Sequence, residues 1–244
     1  MPRARWRSHE ALRPFVYRFR VVCSAIPRAA WRRWLTTLAL GYAGTVLLTF
    51  GLIRLAQAAV AAGVLAWEAA FLQRLEAELP LPFSTAVWLQ TIGTDITLAL
   101  VVVFSFGVFT WIHRPLHALS IVATLFLADL VVRIAWLAWD RPRPSVIMEG
   151  IAAPGFASFP SGHTAKSVAV YGLLALFWIR GSRHLGERCL AAILALALVS
   201  LVAVGRLRMG VHWPSDIVGG AIIGGAWLAV IGLALGRATR AMEG

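Results

Sequence analysis

The chain has 244 residues, of which 59% are hydrophobic and 14% are charged, and its mean hydropathy is +0.76. This composition is too apolar for an ordinary soluble domain and predicts a membrane protein. The formal net charge is +12, but the basic residues lie mostly outside the long apolar runs rather than along one polar surface. That distribution excludes nucleic acid as an expected partner.

The basic charge is concentrated before the first apolar run. This stretch does not resemble a secretory signal peptide, because its basic part is about 34 residues long and no short apolar region ends in a cleavage site. We predict a basic cytoplasmic segment over residues 1–34 and one transmembrane domain over residues 35–244. The basic segment either docks on anionic lipid or only sets the orientation of the protein in the membrane. The segment holds Arg3, Arg5, Arg7, Arg13, Arg18, Arg20, Arg28, Arg32 and Arg33.

Six stretches are apolar enough to be membrane-spanning helices, since a hydrocarbon core of about 30 Å needs roughly 20 residues per helix. The fourth and fifth are short and need their flanking turns to complete the span. The predicted fold is therefore an all-α, polytopic bundle of six transmembrane helices. The stretches cover residues 35–56, 95–112, 116–139, 164–179, 189–204 and 215–235.

Residues 57–83 lie between the first two spans and hold three glutamates among apolar residues, which predicts an interfacial helix or cap on the extracytoplasmic side. With the N-terminus in the cytoplasm, most arginines fall on the cytoplasmic side, as the positive-inside rule requires, and both termini lie inside. Cys23 and Cys189 then lie on the reducing side, so no disulfide or metal framework is expected. The excess of arginine over lysine is typical of a GC-rich bacterial genome, and we expect the protein in a bacterial cytoplasmic membrane.

Three polar clusters meet the membrane on the extracytoplasmic side, at residues 140–144, 159–163 and 205–216. Arg143 and Arg206 offer planar, permanently charged groups that bind phosphate oxygens in pairs and neutralise charge in the transition state.

The second cluster reads Pro160-Ser161-Gly162-His163. Because proline favours the first turn of a helix, we expect Ser161 and Gly162 to lie where free backbone N–H groups attract an anion. His163 is a candidate general acid, since an imidazole titrates near neutral pH.

His212 is the candidate nucleophile of the third cluster. Pro214 predicts a helix start that makes Asp216 the third helical residue, whose side chain commonly reaches back toward the preceding turn. A carboxylate there can hold the imidazole N–H of His212, fix its tautomer and stabilise positive charge as the other ring nitrogen attacks phosphorus.

Taken in order, the three clusters resemble the signature of the type-2 phosphatidic acid phosphatase superfamily, Lys-x6-Arg-Pro, Pro-Ser-Gly-His and Ser-Arg-x5-His-x3-Asp. The second motif is matched completely, and the third is matched except that Gly205 stands where the family usually has serine. The resemblance covers roughly residues 116–235. It implies a six-helix membrane core and phosphatase activity without a metal or other cofactor. In that scheme His212 attacks, His163 protonates the leaving group, Asp216 orients His212, and the phosphate is held by Arg143, Ser161, Gly162 and Arg206.

The first motif departs from the family pattern, because Trp136 stands where the lysine should be. Three cations could replace it. Lys166, the only lysine, lies one helical turn past His163, and we favour it because charges inside a membrane usually mark functional sites. Arg141 lies in the loop itself, and Arg133 lies one turn before Trp136, where Asp129 could already pair with it.

The function expected is hydrolysis of a lipid phosphate or diphosphate, of the undecaprenyl diphosphate, phosphatidylglycerol phosphate or phosphatidic acid type. Transfer of the phosphate to another lipid would use the same phosphohistidine. A non-catalytic anion or lipid transporter is the alternative from another class, although pure binding does not need a paired nucleophile and orienting carboxylate.

Overall fold

A computed structural model describes residues 16–17, 19–79, 81–146 and 157–243 of the chain. Throughout these ranges the secondary structure is helical, with turns and no strand, so the predicted all-α class is confirmed. Residues 1–15 and residue 18 of the predicted basic segment lie outside the described residues.

Eight helices have both ends within the described residues. They are α1 Arg28–Ala61, α2 Trp67–Glu78, α3 Phe83–Thr91, α4 Asp95–Trp111, α5 Pro115–Ala138, α6 Gly162–Gly181, α7 Leu185–Arg208 and α8 Pro214–Glu243.

Residues with strong end preferences set several of these boundaries. Pro115 and Pro214 occupy the first turns of α5 and α8, where a missing N–H costs nothing. Thr94 and Ser161 cap α4 and α6, each accepting a hydrogen bond from the backbone N–H three residues later. Just beyond α7, Gly210 adopts a φ of 65°, a left-handed conformation that commonly ends helices.

Each of the six predicted spans coincides with one long helix: α1, α4, α5, α6, α7 or α8. By length and composition, five stretches of the described chain could cross a membrane, namely α1, α3 together with α4, α5, α7 and α8. Helix α6 has 20 residues and packs against α5, α7 and α8, but its first turns are polar and it is not among the five. A multi-pass membrane fold follows, and the sixth span stays a prediction.

The stretch predicted as an interfacial helix or cap has a more complex structure. Helix α1 continues to Ala61, a turn at Gly63 with a φ of 70° leads into α2, and α3 begins at Phe83. Helix α2 contacts α7, and α3 packs closely along α7. The sequence did not predict α3 as a separate helix.

Close backbone contact between α6 and α8 sets the geometry of one end of the bundle. A Cβ atom added at Gly220 would lie 2.6 Å from the carbonyl oxygen of Ser161, and one at Gly224 would lie 2.4 Å from that of Ala165. Only glycine permits this approach. The contact places Ser161, at the start of α6, beside the first turns of α8.

Candidate active site

The chemically important residues lie at one end of the bundle, where α5 and α7 end and α6 and α8 begin. Hydrogen bonds join the three polar clusters there. Arg143 Nη1 donates to the carbonyl oxygen of Val211 at 2.7 Å, and the backbone N–H of Ser161 donates to that of Asp216 at 3.0 Å. The clusters therefore share one face.

His212 lies at the centre of this face and is 1% exposed. Its Nε2 atom is 3.3 Å from Arg206 Nη2, and its Nδ1 atom is 2.9 Å from the carbonyl oxygen of Ser158. Because a guanidinium can only donate, Nε2 is the accepting nitrogen and the ring proton lies on Nδ1. Burial lowers the pKa of His212 to about 4, so the ring is neutral near pH 7. An unprotonated Nε2 is the state that a nucleophile needs.

Asp216 is fully buried and accepts hydrogen bonds from several directions. Its Oδ2 atom accepts from the backbone N–H of Trp213 at 2.8 Å and from the hydroxyl of Ser158, and its Oδ1 atom accepts from Arg141 Nη1 at 2.6 Å. The contact with Trp213 is the reach back to the preceding turn that the helix start at Pro214 predicts. Nδ1 of His212 lies 3.5 Å from Oδ2, so the Ser158 carbonyl is its closer acceptor.

Arg206 is 8% exposed and is held between two side chains. Its Nη1 atom donates to Oε1 of Gln90 at 2.9 Å, while Nη2 faces His212. Its Nε atom has no hydrogen-bond partner among the described residues. A buried guanidinium with an unused donor beside a neutral imidazole is a suitable site for a phosphate oxygen.

His163 is the second residue of α6 and is half-buried. It is close enough to His212, Arg206 and Arg143 for their charges to act on its ring.

The start of α6 differs from the expected anion site. Helix α6 begins one residue after its cap, Ser161, so Pro160 precedes the helix rather than occupying its first turn.

The start of α6 differs in a second respect from the expected anion site. The hydroxyl of Ser161 accepts from Thr164, and its N–H is used by the Asp216 carbonyl, so this N–H is not free for an anion. Gly162 packs against Trp136, with 3.2 Å between an added Cβ and the indole ring.

Comparison with known proteins agrees with this geometry, since the profile of the PAP2 superfamily matches residues 117–240. The chain belongs to the PAP2 superfamily.

Two curated relatives are similar to parts of this chain. Phosphatidylglycerophosphatase B of Bacillus subtilis is 29% identical over 150 residues, which is 56% of this chain and 70% of the relative. Lipid phosphate phosphatase 2 of Arabidopsis thaliana is 39% identical over 80 residues, or 30% of this chain and 27% of the relative.

A solved structure has the same fold. The crystal structure of a transmembrane PAP2-type phosphatidylglycerolphosphate phosphatase from Bacillus subtilis aligns with a TM-score of 0.64 and 21% identity, covering 78% of this chain and 94% of that one.

The two departures from the PAP2 signature have structural explanations. Trp136 fills the lysine position with an indole that donates its N–H to the carbonyl oxygen of Pro160 at 3.1 Å. At Gly205, an added Cβ would lie 2.8 Å from the carbonyl oxygen of Ala86 and 3.0 Å from the backbone nitrogen of Gln90. The absence of a side chain at Gly205 lets α3 approach α7 closely enough for Gln90 to accept a hydrogen bond from Arg206.

The two cations predicted to replace the missing PAP2 lysine, Lys166 and Arg141, are both paired with carboxylates. Their role as phosphate ligands stays a prediction. Lys166 donates to Asp129 at 3.1 Å and to Asp95. Lys166 also lines a cavity of about 370 Å³ between α4, α5 and α6. Arg133 also pairs with Asp129, at 2.5 Å, as predicted.

Arg141, the second cation, forms ion pairs with two carboxylates. It donates to Asp216 and, through Nη2, to Oε2 of Glu68 at 2.7 Å. Arg208, near the end of α7, is also buried, with 5% exposure, and its Nη1 atom lies 3.7 Å from Oε1 of Glu76.

Three residues of this PAP2 site were missed in the sequence: Gln90, Ser158 and Glu68. Each acts across a long sequence separation and belongs to no motif, so no local signal identifies it. Among the described residues, no three His, Cys, Asp or Glu side chains are grouped closely enough to hold a metal ion.

Proposed function

We propose that this protein is a membrane phosphatase that removes phosphate from a lipid phosphate or diphosphate through a phosphohistidine on His212. Its membership of the PAP2 superfamily supports this function. The names of its relatives, a phosphatidylglycerophosphatase and a lipid phosphate phosphatase, support lipid phosphates as the substrate class. Phosphatidylglycerol phosphate, phosphatidic acid and undecaprenyl diphosphate are the substrates to test.

The observation that carries the proposal is the state of the His212 ring. Nδ1 is held by the Ser158 carbonyl, and Nε2 is unprotonated beside the guanidinium of Arg206. Binding of an anion alone needs donors and charge, whereas a neutral imidazole held in one tautomer is required for nucleophilic attack. This observation therefore favours catalysis over anion transport.

The reaction takes two steps. Nε2 of His212 forms a bond to phosphorus while the bond from phosphorus to the leaving oxygen breaks, and His163 donates a proton to that oxygen. Arg143 and Arg206 bind the phosphoryl oxygens, and Asp216 stabilises the positive charge that develops on the ring. Water then attacks the phosphohistidine, His163 takes its proton, and inorganic phosphate leaves.

We place the protein in a bacterial cytoplasmic membrane, with both termini inside and the site facing the extracytoplasmic side. The charge distribution supports this orientation. The end of the bundle opposite the site carries Arg114, Arg180, Arg183, Arg188, Arg237 and Arg240, and the cytoplasmic side of a membrane protein is enriched in such residues.

The proposal is tested by phosphate release from each of the three lipids in detergent micelles with a chelator and no added metal. We expect the parent to release phosphate and His212→Ala to be inactive. His184→Ala, a histidine substitution at the exposed start of α7, is the matched control. Activity of His212→Ala within about tenfold of the parent, or 1.4 kcal/mol of barrier, would refute the nucleophile assignment.

The same assay separates the alternatives. Vanadate mimics the trigonal-bipyramidal transition state and should inhibit a phosphatase strongly, whereas a transporter would show only ordinary anion competition. Transfer to a second lipid would appear as a new lipid phosphate in place of inorganic phosphate.

A further inference from the structure

A buried glutamate outside the PAP2 signature lies directly behind the candidate catalytic residues. Glu68 is in the first turn of α2 and is 1% exposed. Its Oε2 atom accepts from Arg141 Nη2 at 2.7 Å, and its Oε1 atom accepts from the backbone N–H of Ser215 at 2.7 Å. A carboxylate is costly to bury unless it is paired and hydrogen-bonded, and here both oxygens are satisfied.

Arg141 joins this glutamate to Asp216. Its Nη1 atom donates to Oδ1 of Asp216 at 2.6 Å and to the hydroxyl of Ser215 at 2.7 Å. Its guanidinium carbon lies 5.5 Å from the ring centre of Trp139 and 5.6 Å from that of Trp213. With both terminal nitrogens engaged and two aromatic rings against it, Arg141 is a linker between two carboxylates.

The pairing has an electrostatic consequence for the site. Arg141 lies between two negative charges, so the charge of Glu68 offsets part of the attraction of Arg141 for Asp216. Without Glu68, the positive charge of Arg141 would neutralise more of the negative charge of Asp216. Asp216 would then stabilise positive charge on His212 less. The hydrogen bond that the backbone N–H of Ser215 donates to Glu68 also fixes the first turn of α8, which carries Asp216.

We propose that Glu68 is a positioning residue for the reaction, which acts through Arg141 to hold Asp216 in place and to preserve its charge for His212. Helix α2 is thereby a functional part of the active site. This inference rests on the proposed phosphatase function.

The test is Glu68→Gln, which keeps the shape of the side chain and removes its charge. Glu78→Gln makes the same change at the exposed end of α2 and is the matched control. We expect kcat of Glu68→Gln to fall about tenfold, the scale typical of residues that orient a catalytic group, and KM to stay within about twofold, because Glu68 does not contact the phosphate. Glu78→Gln should match the parent.

Two further readouts separate positioning from a merely structural role. The acid limb of the pH profile of kcat should move to lower pH in Glu68→Gln, because Asp216 then stabilises the imidazolium less. In the background of Arg141→Gln the effect of Glu68→Gln on kcat should largely disappear, because the pathway runs through that guanidinium. A folding defect alone would lower the active fraction without moving the pH profile.

The outcomes are distinct. If the parent and Glu78→Gln release phosphate and Glu68→Gln does so with the same kcat and the same pH profile, the role of Glu68 is refuted while the phosphatase function stands. An equal loss from Glu68→Gln in both backgrounds would also refute it. If the parent releases no phosphate, the proposed function fails and this inference fails with it.

Discussion

Addition of one methyl group at Gly205 tests how the contact between α3 and α7 supports the site. In Gly205→Ala the new Cβ would lie 2.8 Å from the carbonyl oxygen of Ala86 and 3.0 Å from the backbone nitrogen of Gln90. A carbon atom normally approaches a carbonyl oxygen to about 3.3 Å. Helix α3 must therefore withdraw by roughly 0.5 Å, because the atoms that the new Cβ contacts belong to the backbone of α3 and cannot rotate away.

The displacement has a calculable effect on Arg206. Its bond to Gln90 is 2.9 Å long, and a 0.5 Å withdrawal would take it beyond the usual range of about 2.7–3.2 Å. A hydrogen bond to a charged group contributes about 1.5–3 kcal/mol, so kcat/KM should fall by at least about tenfold. The overpacking itself should lower the free energy of unfolding by about 1–3 kcal/mol.

The assay is kcat/KM for lipid phosphate hydrolysis, together with thermal unfolding in detergent. Gly186→Ala makes the same substitution in the same helix at a position where an added Cβ has no atom within 4 Å. This control should keep full activity and be slightly stabilised, since alanine is the better helix former. If Gly205→Ala is as active and as stable as Gly186→Ala, the tight contact between α3 and α7 does not support Arg206.

Three further predictions concern charge. Lys166→Met should leave kcat and KM within about twofold of the parent and lower the free energy of unfolding by about 1 kcal/mol, because Lys166 pairs with carboxylates that are partly exposed. A large rise in KM would instead show that Lys166 binds the phosphate. Asp216→Asn should lower kcat by about 10³-fold or more with little change in KM, as expected when a carboxylate that orients a catalytic histidine loses its charge; kcat near that of the parent would contradict this role. Since the pKa of His212 is about 4 when folded and about 6.5 when unfolded, the unfolded chain binds the extra proton between these values, and His212 should cost the parent about 2 kcal/mol of stability between pH 7 and pH 5. His212→Asn should lack this loss in unfolding experiments, and an equal loss in both proteins would contradict the low pKa.

The sequence was sufficient to predict the six long helices and the residues that gather at their ends. Apolar runs mark the spans because the hydrocarbon core fixes their length. Pro214 marks the start of α8 and so places Asp216 where its side chain reaches back to the preceding turn. These features depend on neighbours in sequence.

The sequence was insufficient wherever a partner comes from a distant segment. The pairing of Lys166 with Asp129 was not predicted, because it depends on how α5 packs against α6. Glu68 looked like part of an interfacial cap because its contact with Arg141 spans 73 residues. A charge inside a membrane protein indicates that a partner is needed, but not which residue supplies it.

Trapping the covalent intermediate would show whether His212 carries phosphate during turnover. The protein would be mixed with a lipid carrying radiolabelled phosphate, quenched within one turnover, and digested for mass spectrometry. We predict an acid-labile, base-stable phosphate on the peptide that contains His212, and no label in His212→Ala. Label on Ser161, or turnover of the parent with no labelled protein at any quench time, would contradict the mechanism.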